Sequence, residues 1–538
     1  MKTCGELLSE LLAAYGIDTA FGIPGTHTIE LYRGLRRAHI RHISPRHEQG
    51  AGYMADGYAR VTGRPAACFT ISGPGALNIS AAMAQALQDS VPMIVISADN
   101  ATYQTGLGEG RLHEFDNIHE VMRRCSRWAY KVARPDELPR VLGRAMAVCL
   151  SGRPGPVHLT VPLDVMTADA SHVEAKIWPL PSRPAADRNA LRQAAILLNS
   201  AVAPVVAIGG GAVDAQAEIV TLIEALDAPV TETQNAKGIL PVVHPLRVGG
   251  SPSDPMVQAL LRDSDVVLAI GTEFGETDYD FTLSDAFSLG RGKLIRIDID
   301  MAMLSSSQQA DVLIWADARL AIRDLLPLLD RIPKRADTGP DRAAKARMKS
   351  ADGQRAVYQK VLSIVADTLP GVILVADSTQ PGYQAASLYN AHGPRSFFSA
   401  ATGFGTLGYA VPAAIGAKIA RPDRPVVAMV GDGGVQFCLA EWASAVEEKA
   451  PVITMIWNSS ERNSYGEIAR NFTDRGLAPL GCNILAPDFR KVAEGFGCTV
   501  LRVRNTSELE EALRAAWASR VPVVLDLVEG EFLGGIAG

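Results

Sequence analysis

The sequence predicts an α/β protein built from three doubly wound, parallel-sheet domains. Short and continuously apolar runs, for example residues 93–97, 205–208 and 426–430, alternate with longer helical patterns such as 355–369. Strands that are buried on both faces of a parallel sheet have this continuous apolar character, and the segments between them are connecting helices. The chain has 538 residues, and at about 150 residues per domain it has room for three or four domains.

Two segments interrupt the alternation and predict where the domains divide. Residues 178–184 contain three prolines, which block a helix and favour an extended connector. Residues 332–354 are largely polar and charged. We therefore predict one domain over residues 1–170, a second over 187–330 and a third over 355–538.

The composition excludes several broad classes of protein. Hydrophobic residues make up 47% of the chain and charged residues 20%, which excludes a wholly disordered chain. The net charge of −6 argues against a nucleic-acid partner, and no apolar run is long enough to span a membrane. The seven cysteines form no CxxC motif and predict neither a zinc ribbon nor a disulfide framework. The N-terminus passes directly into an amphipathic segment, so we expect no signal peptide and a cytoplasmic location.

The sequence Gly-Asp-Gly-Gly at 431–434 carries the clearest chemical signal. It follows a buried run, and glycines at the carboxyl end of a strand let the backbone approach a phosphate group. Asp432 is suited to bind Mg²⁺ as a hard oxygen ligand. Asn458 stands 26 residues later at the end of the next predicted strand, and the carboxyl ends of these parallel strands meet at one sheet edge. A lone Gly-Asp-Gly is also typical of a plain strand-to-helix turn, but the second polar strand end favours a ligand site.

These motifs resemble the signature of thiamine diphosphate (ThDP) enzymes, in particular of the branch that includes the acetolactate synthases. The resemblance covers essentially the whole chain. Beyond the Gly-Asp-Gly motif it rests on the runs 21–25, 46–51, 54–60, 72–78, 153–158 and 405–412. It implies a pyrimidine-binding first domain, a central domain and a diphosphate-binding third domain, with ThDP and Mg²⁺ as cofactors.

The resemblance also implies roles for individual residues. Glu48 matches the glutamate that exchanges a proton with the aminopyrimidine ring, a task suited to a carboxyl group. Leu407 matches the bulky apolar residue that supports the bent coenzyme, and His113 matches a polar residue near the thiazolium ring. The other implied coenzyme contacts are Gly25, Gly73, Pro74, Asn78, Asp377, Ser378, Thr379, Gln380, Gly405, Asp432, Gly433, Gly434, Asn458, Tyr465 and Gly466. The plainer alternatives are a capping or surface role for Glu48, a core position for Leu407 and a structural role for His113.

One departure from the family pattern concerns the metal. In this branch two asparagines stand together after the strand and the second binds the metal, whereas Ser459 occupies the second position here. A serine hydroxyl is a weaker Mg²⁺ ligand than an amide oxygen. The implied metal ligands are therefore Asp432 together with Asn458 or Ser459, and Asn463 is a further candidate.

The positions of the two main motifs predict an oligomer. In the family the coenzyme lies between the first domain of one subunit and the third domain of another. Glu48 and Asp432 fall in those two domains. The resemblance therefore implies a homodimer at least, and commonly a homotetramer, with active sites between subunits.

Within this branch several runs resemble the 5-guanidino-2-oxopentanoate (2-oxoarginine) decarboxylases. They are 46–52, 108–114, 271–278, 377–381 and 465–468. The implied reaction is the non-oxidative decarboxylation of a small 2-oxo acid, here 2-oxoarginine to 4-guanidinobutanal and CO₂. The guanidinium group of that substrate needs a carboxylate partner. Glu467 is the first candidate, followed by Glu109 and Glu114, whereas the acidic cluster at 273–280 is more typical of a solvated loop.

Two alternatives to this reaction stay open. The first is a carboligase of the acetolactate synthase type, which joins the decarboxylated fragment to a second 2-oxo acid. The second is a ThDP-fold protein with impaired catalysis, suggested by Ser459. The question of FAD is separate: we expect none in this chain, because the glycine-rich turn at 207–212 lacks the full dinucleotide fingerprint.

Overall fold

Three parallel sheets, separate in sequence, make up the architecture. The computed structural model describes residues 1–280, 287–330, 337–347, 353–459 and 465–534. Most strands are buried along their whole length, as their apolar composition predicts. The predicted fold class, three doubly wound parallel-sheet domains, is confirmed.

The first sheet and its helices contain the residues before 170. The strands are β1 (Thr19–Gly22), β2 (Arg41–Ile43), β3 (Ala67–Thr70), β4 (Met93–Asp99), β5 (Trp128–Lys131) and β6 (Pro156–Pro162). The helices are α1 (Cys4–Ala14), α2 (Ile29–Leu35), α3 (Glu48–Thr62), α4 (Pro74–Gln88), α5 (Ile118–Arg124), α6 (Leu138–Leu150) and α7 (Leu163–Thr167). Short 3₁₀ turns occupy Thr26–Thr28 and Pro135–Glu137. The strand order is β2-β1-β3-β4-β6-β5.

The middle sheet has five parallel strands. They are β7 (Val205–Ile208), β8 (Val230–Glu232), β9 (Val266–Ile270), β10 (Lys293–Asp298) and β11 (Val312–Trp315). The helices are α8 (Arg188–Ser200), α9 (Gln216–Leu226), α10 (Pro255–Arg262), α11 (Glu276–Tyr279), α12 (Met301–Leu304), α13 (Ala318–Leu325) and α14 (Gly339–Ala346). Short 3₁₀ turns occupy Gly210–Ala212, Gln234–Ala236 and Leu326–Leu328. The strand order is β11-β10-β9-β7-β8.

The third sheet again has six parallel strands. They are β12 (Ile373–Ala376), β13 (Phe397–Ser399), β14 (Val426–Gly431), β15 (Ile453–Asn458), β16 (Thr499–Val503) and β17 (Val523–Val528). The helices are α15 (Gly353–Thr368), α16 (Gln380–Leu388), α17 (Ala410–Ala420), α18 (Asp432–Val435), α19 (Glu441–Glu447), α20 (Gly466–Asp474), α21 (Phe489–Gly495), α22 (Thr506–Ser519) and α23 (Glu529–Gly534). The strand order is β13-β12-β14-β15-β17-β16.

The segments between the sheets differ from each other. Residues 171–187 form no helix or strand. The polar segment 332–354 contains helix α14, which packs on the middle domain. The two terminal nitrogens of Arg342 donate to the carbonyl oxygens of Ala203 and Pro204, each at 2.9 Å. Helix α14 belongs to the segment that we expected to be a linker, but it packs on the middle domain. The domain boundaries therefore stay predictions.

A close helix pair, α3 and α17, joins the first domain to the third. A Cβ atom at Gly57 would overlap the carbonyl oxygen of Ala413, and one at Gly416 would overlap that of Met54. Glycine is therefore needed at both crossing points, because only its small volume lets the two backbones approach this closely. A single hydrophobic core runs from the first sheet through both helices into the third sheet.

Arg60 on α3 ties this junction together through buried ion pairs. Its Nε donates to Asp56 Oδ1 at 2.6 Å, and its Nη2 donates to Asp89 Oδ2 at 2.5 Å. The Tyr409 hydroxyl from the third domain donates to the same oxygen of Asp56. Nη1 of Arg60 donates to Asn235 of the middle domain at 3.1 Å. One guanidinium group thus contacts or supports residues from all three domains.

Two expectations from composition can be compared with the structure. All seven cysteines are unpaired, as their scattered spacing predicts. Within the described ranges, no helix has the length and apolar character needed to cross a lipid bilayer.

Candidate active site

Glu48 begins helix α3 at the edge of the first sheet. The preceding residue, His47, caps the helix with its Nδ1, which accepts the Gln49 N–H at 3.1 Å. The Glu48 carboxylate is buried, and its Oε2 accepts from the Asn78 amide at 2.9 Å. A Cβ atom at Gly75 would lie 3.3 Å from its Oε1. A buried carboxyl group with one side-chain amide partner is suited to exchange a proton with a ligand.

The turn between β3 and α4 carries further predicted coenzyme contacts. Gly73 precedes α4 with a φ of +57°, and Pro74 is the first residue of the helix. His113 crosses this turn, since a Cβ atom at Gly73 would lie 2.7 Å from its carbonyl oxygen. Gly25 follows the neighbouring strand β1 and packs against Ile71. The structure therefore places the first-domain residues of our prediction along one sheet edge.

His27 belongs to the same edge, although no sequence motif singles it out. Its ring centroid lies 5.1 Å from that of His113, and its Nδ1 lies 2.7 Å from Oγ of Ser72. The sequence signal for His27 is its place two residues after a glycine that follows a buried strand. Ligands of open α/β sheets bind at that end of the strands.

The Gly-Asp-Gly motif forms the end of β14 and the start of α18. Asp432 is buried, and its Oδ1 accepts the Gly433 N–H at 2.9 Å. Its Oδ2 accepts the backbone N–H of Ser459 at 3.1 Å and the Ser459 hydroxyl at 2.6 Å. Ser459 directly follows β15, the neighbour of β14. Adjacent strand ends thus bring the Asp432 carboxylate and the Ser459 hydroxyl group together.

Asn458 points away from Asp432. Its Nδ2 donates to Oδ1 of Asp526 on β17, which lies on the other side of β15 from β14. Successive side chains of a strand face opposite sides of the sheet, so Asn458 and Ser459 have different surroundings. The metal-binding role of Asn458 stays a prediction, while Ser459 is the residue that contacts Asp432. Asn463 lies outside the described residues.

The loop at 377–380 follows β12, on the other side of β14. The Asp377 carboxylate is fully buried and accepts the N–H of Ser378 at 2.8 Å and that of Ala410 at 3.4 Å. Burial raises the pKa of Asp377 to about 6. Asp377 therefore supports the start of α17 from within the protein. Thr379 lies nearer the glycine turn, since a Cβ atom at Gly431 would be 3.0 Å from its Oγ1.

The loop between β13 and α17 carries Gly405 and Leu407. Gly405 has a φ of +70° and open space beside its Cβ position, and Leu407 is half-buried. Thr406 between them is anchored to the first domain. Its N–H donates to Gln85 Oε1 at 3.3 Å, and its hydroxyl bonds to the Tyr53 hydroxyl. These contacts fix the loop beside α3.

Glu467 lies in the first turn of α20, directly after Tyr465 and Gly466. Its Oε2 accepts from the Gln380 amide and lies 3.1 Å from Nη1 of Arg470. The contact with Gln380 joins α20 to the loop after β12. The structure therefore places this carboxylate near the diphosphate-side residues of our prediction.

The other candidate carboxylates already have local partners. Glu114 accepts the Arg111 N–H at 2.9 Å, and Glu109 pairs with the Arg111 side chain at 2.9 Å, so both stabilise their own loop. In the acidic cluster, Asp278 accepts the Gln234 N–H at 2.9 Å, and burial raises the pKa of Asp278 to about 6. The expectation of a solvated loop is therefore wrong for Asp278, which is held inside the protein.

These residues form two half-sites in the single chain. The first half-site contains Glu48, Asn78, Gly73, His27 and His113, and the second half-site contains Asp432–Gly434, Ser459, Thr379, Gln380 and Glu467. No hydrogen bond or ion pair between described residues links Glu48, Asn78 or His113 with the second half-site. The α3–α17 contact joins the two domains on another face of α3.

Sequence patterns of one family match most of the chain. Three family patterns match residues 2–120, 191–325 and 377–527. They are described, in that order, as the N-terminal TPP binding domain, the central domain and the C-terminal TPP binding domain of thiamine pyrophosphate enzymes. The chain belongs to the thiamine pyrophosphate enzyme family. The family resemblance drawn from the motifs is thereby confirmed.

Three relatives match nearly the whole chain. A Pseudomonas aeruginosa protein named probable 2-ketoarginine decarboxylase AruI is 39% identical over 98% of this chain and 94% of its own length. The acetolactate synthase isozyme 1 large subunit of Escherichia coli is 31% identical, over 95% of this chain and 91% of its own length. The acetolactate synthase large subunit of Corynebacterium glutamicum is 33% identical, over 98% of this chain and 87% of its own length.

Both half-sites of this thiamine pyrophosphate enzyme fit the expected cofactors. Asp432 and Ser459 offer hard oxygen atoms, which Mg²⁺ accepts together with phosphate oxygens. The described residues contain no cluster of three or more His, Cys, Asp or Glu side chains that could hold a metal by itself, so a bound cation would depend on its phosphate ligands. In the first half-site, Nδ1 of His113 is buried and lacks a hydrogen-bond partner within the described chain. That atom is available to a ligand.

A separate cavity of about 260 Å³ opens where the middle domain meets the other two. It is lined by the glycine turn 209–211 and by Gly271, Arg60, Arg153 and Asp317, among others. The glycine-rich turn identified in the sequence therefore lies at this cavity and apart from the two half-sites.

Proposed function

We propose that this chain is a ThDP- and Mg²⁺-dependent decarboxylase of a small 2-oxo acid, converting 5-guanidino-2-oxopentanoate to 4-guanidinobutanal and CO₂. The observation that carries the proposal is the carboxylate of Glu467 beside Gln380 in the second half-site. It is supported by 39% identity, over nearly the whole chain, to a relative named for the same substrate.

The residues of the first half-site would act on protons. When bound, ThDP supplies the carbon nucleophile and accepts the electron pair released with CO₂. Glu48 would exchange a proton with the pyrimidine ring, while the Asn78 amide orients the carboxylate at 2.9 Å. His113, whose Nδ1 has no hydrogen-bond partner in the described part of the chain, would donate or accept a hydrogen bond near the reacting carbon.

The residues of the second half-site would hold the diphosphate end. Asp432 and Ser459 are the metal ligands that we favour, because their side chains contact each other, whereas the Asn458 amide contacts Asp526. Gly433 and Gly434 would let the backbone approach phosphate oxygens. Excluding water from this region would strengthen each electrostatic contact with the coenzyme.

A second copy of the chain would complete the site. Among the described residues no hydrogen bond or ion pair joins the two half-sites, and Asn78 of the first is exposed. We propose that the first half-site of one protomer faces the second half-site of its partner in a homodimer, with a homotetramer as the larger assembly. The cytoplasmic location stays a prediction.

The direct test is a panel of 2-oxo acids that includes 2-oxoarginine, assayed with ThDP and Mg²⁺ for both CO₂ and aldehyde. We expect equal amounts of CO₂ and 4-guanidinobutanal from 2-oxoarginine, and slower turnover of apolar 2-oxo acids. Loss of CO₂ release after removal of Mg²⁺ with a chelator would support the metal requirement. Absence of CO₂ from every acid would favour the alternative of impaired catalysis.

Replacing Glu467 tests substrate recognition. Removing a carboxylate that pairs with a charged substrate costs on the order of 2–5 kcal/mol of binding. Because Glu467 is partly exposed and already lies 3.1 Å from Arg470, we expect the lower part of this range, an increase in KM of about 30-fold for 2-oxoarginine in Glu467→Gln. Turnover of an apolar 2-oxo acid should change little.

Glu510→Gln is the matched control for that substitution. Glu510 also pairs with an arginine of its own helix, Arg514, at 2.6 Å, but it lies on the outer helix α22. Kinetics of this control should equal those of the wild type. Equal losses for charged and apolar substrates in Glu467→Gln would refute the assignment of Glu467.

A carboligase is the second candidate function. It is favoured by the relatives named acetolactate synthase, which are 31–33% identical over nearly the whole chain. The discriminating measurement is the product formed with a second 2-oxo acid present: free aldehyde supports the decarboxylase, and an acetolactate-type product supports the carboligase.

We further propose that the chain works without FAD. The cavity where the middle domain meets the other two is lined by Arg153 and Glu273, whose side chains pair with each other at 2.7 Å. A flavin absorbance band in the purified protein would contradict this proposal.

A further inference from the structure

Two histidine rings face each other in the first half-site. His27 lies in the turn after β1 and His113 in the loop after β4, with ring centroids 5.1 Å apart and planes inclined by 65°. His27 is buried, and its Nδ1 lies 2.7 Å from Oγ of Ser72, which is also buried. The pair thus has one member, His27, that is fixed by a hydrogen bond and a second, His113, that contacts it in an edge-to-face arrangement.

The position of His113 depends on its backbone and on the His27 ring. Its φ of +55° lies in the left-handed region, which residues other than glycine seldom adopt. Its carbonyl group packs on Gly73, and the preceding carbonyl, of Leu112, accepts from the Asn100 amide at 3.0 Å. Nδ1 of His113 has no hydrogen-bond partner among the described residues. No side-chain hydrogen bond therefore holds this nitrogen, and the facing ring is what restricts it.

The histidine pair and Glu48 share one support. Ser72 and Gly73 belong to the turn that leads into α4. The next residues of that turn and helix contact Glu48: Gly75 packs behind its carboxylate and Asn78 donates to it at 2.9 Å. Glu48 and the histidine pair are therefore held by the same turn at the edge of the first sheet.

The surroundings of His27 favour its neutral form. Burial lowers the pKa of His27, and the charge of His113 lowers it further, while Asp99 acts in the opposite direction. Asp99 is itself paired with Nζ of Lys131 at 2.8 Å. A neutral His27 can hold Ser72 by a hydrogen bond and present an uncharged ring to His113, so that a proton on His113 meets no like charge.

We propose that His27 is a positioning residue that holds His113 in place as the proton donor of the decarboxylation; this inference rests on the proposed function. In that reaction the bond between the carboxylate carbon and the carbonyl carbon breaks and CO₂ leaves. The electron pair left behind, stabilised by the coenzyme, forms a C–H bond with the proton of His113. Solvent returns one proton to His113, so one proton is consumed for each CO₂ and aldehyde released.

Two substitutions of His27 separate positioning from mere packing. His27→Phe keeps a ring and removes the bond to Ser72, whereas His27→Asn keeps a polar group for Ser72. Because the facing ring is what restricts His113, we expect His27→Asn to lower kcat for aldehyde formation about tenfold, with KM and coenzyme affinity within about twofold of wild type, and His27→Phe to keep most of the rate. The matched control is His42→Asn, because His42 also lies beside an aromatic ring of this domain, that of Tyr32, and away from His113.

A second readout needs neither coenzyme nor substrate. In the protein without ThDP, ¹³C-labelled histidine NMR follows the titration of His27, assigned by its loss in His27→Asn. His113→Gln removes the like charge, so the pKa of His27 should rise in this variant. An unchanged His27 titration together with wild-type kcat in His27→Asn would overturn the inference. Equal loss in Phe and Asn variants with lowered thermal stability would also overturn it, in favour of packing alone.

Failure of the proposed function would look different. Wild-type protein would then release no CO₂ from any 2-oxo acid, and the proton-donor role would fall with it. The NMR titration would still decide whether the two rings are coupled. Wild-type decarboxylation with unaffected His27 variants would instead leave the proposed function standing and remove only the inference about His27.

Discussion

The first and third domains share a strand order and carry different chemistry on it. The orders β2-β1-β3-β4-β6-β5 and β13-β12-β14-β15-β17-β16 follow one pattern. Helices α3 and α17, which follow β2 and β13, occupy equivalent places and pack against each other through Gly57 and Gly416. The two domains therefore contact each other through equivalent helices of one topology.

The difference lies in which strand end bears an acid. In the first domain the acid Glu48 begins the helix after β2, and the turn after β3 has Gly73 with no carboxylate. In the third domain the helix after β13 begins with Ala410, and the turn after β14 carries Asp432. Topology therefore sets which sheet edge a ligand can reach. The residue at each strand end sets whether that edge exchanges a proton or holds a metal.

The largest expected effect comes from the acid of the first half-site. In Glu48→Gln the proton exchange is lost, and we expect the decarboxylation rate to fall by about 10²–10⁴-fold with little change in thermal stability. The control is Glu30→Gln, because Glu30 pairs with Arg33 on the surface of the same domain. Normal turnover in Glu48→Gln would show that the sheet edge of the first domain does not supply the proton exchange.

Replacing Arg60 tests the contact between helices α3 and α17. Arg60→Leu would leave Asp56 and Asp89 buried without their cation, and we expect a loss of about 3–5 kcal/mol in the free energy of unfolding by denaturant. The exposed Arg33 offers the contrast, since Arg33→Leu breaks only a surface ion pair with Glu30 and should leave the free energy of unfolding almost unchanged. Similar small losses in both variants would mean that the buried pairs do not hold the two domains together.

Substitutions of Ser459 test how the second half-site binds Mg²⁺. Ser459→Ala removes a proposed ligand together with the hydroxyl group that orients the Asp432 carboxylate, so it should raise the Mg²⁺ concentration for half-maximal activity by about 10–100-fold. Ser459→Asn should preserve or improve the affinity. Asn458→Ala is the matched comparison, and a larger loss there would transfer the ligand role from Ser459 to Asn458.

The smallest expected effect is a pH dependence at Asp377. Its pKa is raised to about 6 by burial, above the usual value of about 4, so the folded state holds a proton that the unfolded state releases. The stabilising effect of that proton is present at low pH and disappears as pH rises through 6. From pH 5 to pH 7.5 the free energy of unfolding of the wild type should fall by about 1 kcal/mol relative to that of Asp377→Asn. A constant difference would contradict the assigned titration.

Local sequence determined the elements and the motifs. The apolar runs 93–97 and 426–430 became β4 and β14, and the pattern at 355–369 became α15. Strand and helix formation at these places depends on the period of nearby residues, which the sequence displays directly. Because neighbouring parallel strands end at one edge, the spacing also brought Asp432 close to the residues after β15.

The contacts of the side chains in the candidate site depend on the tertiary structure. Asn458 and Ser459 are adjacent in the chain, yet one contacts Asp526 and the other Asp432, because successive strand residues face opposite sides. The facing of His27 and His113 depends on two loops from different strands meeting over the β3–α4 turn. Such contacts join residues far apart in sequence, and their geometry follows from strand order and helix packing, which no local pattern records.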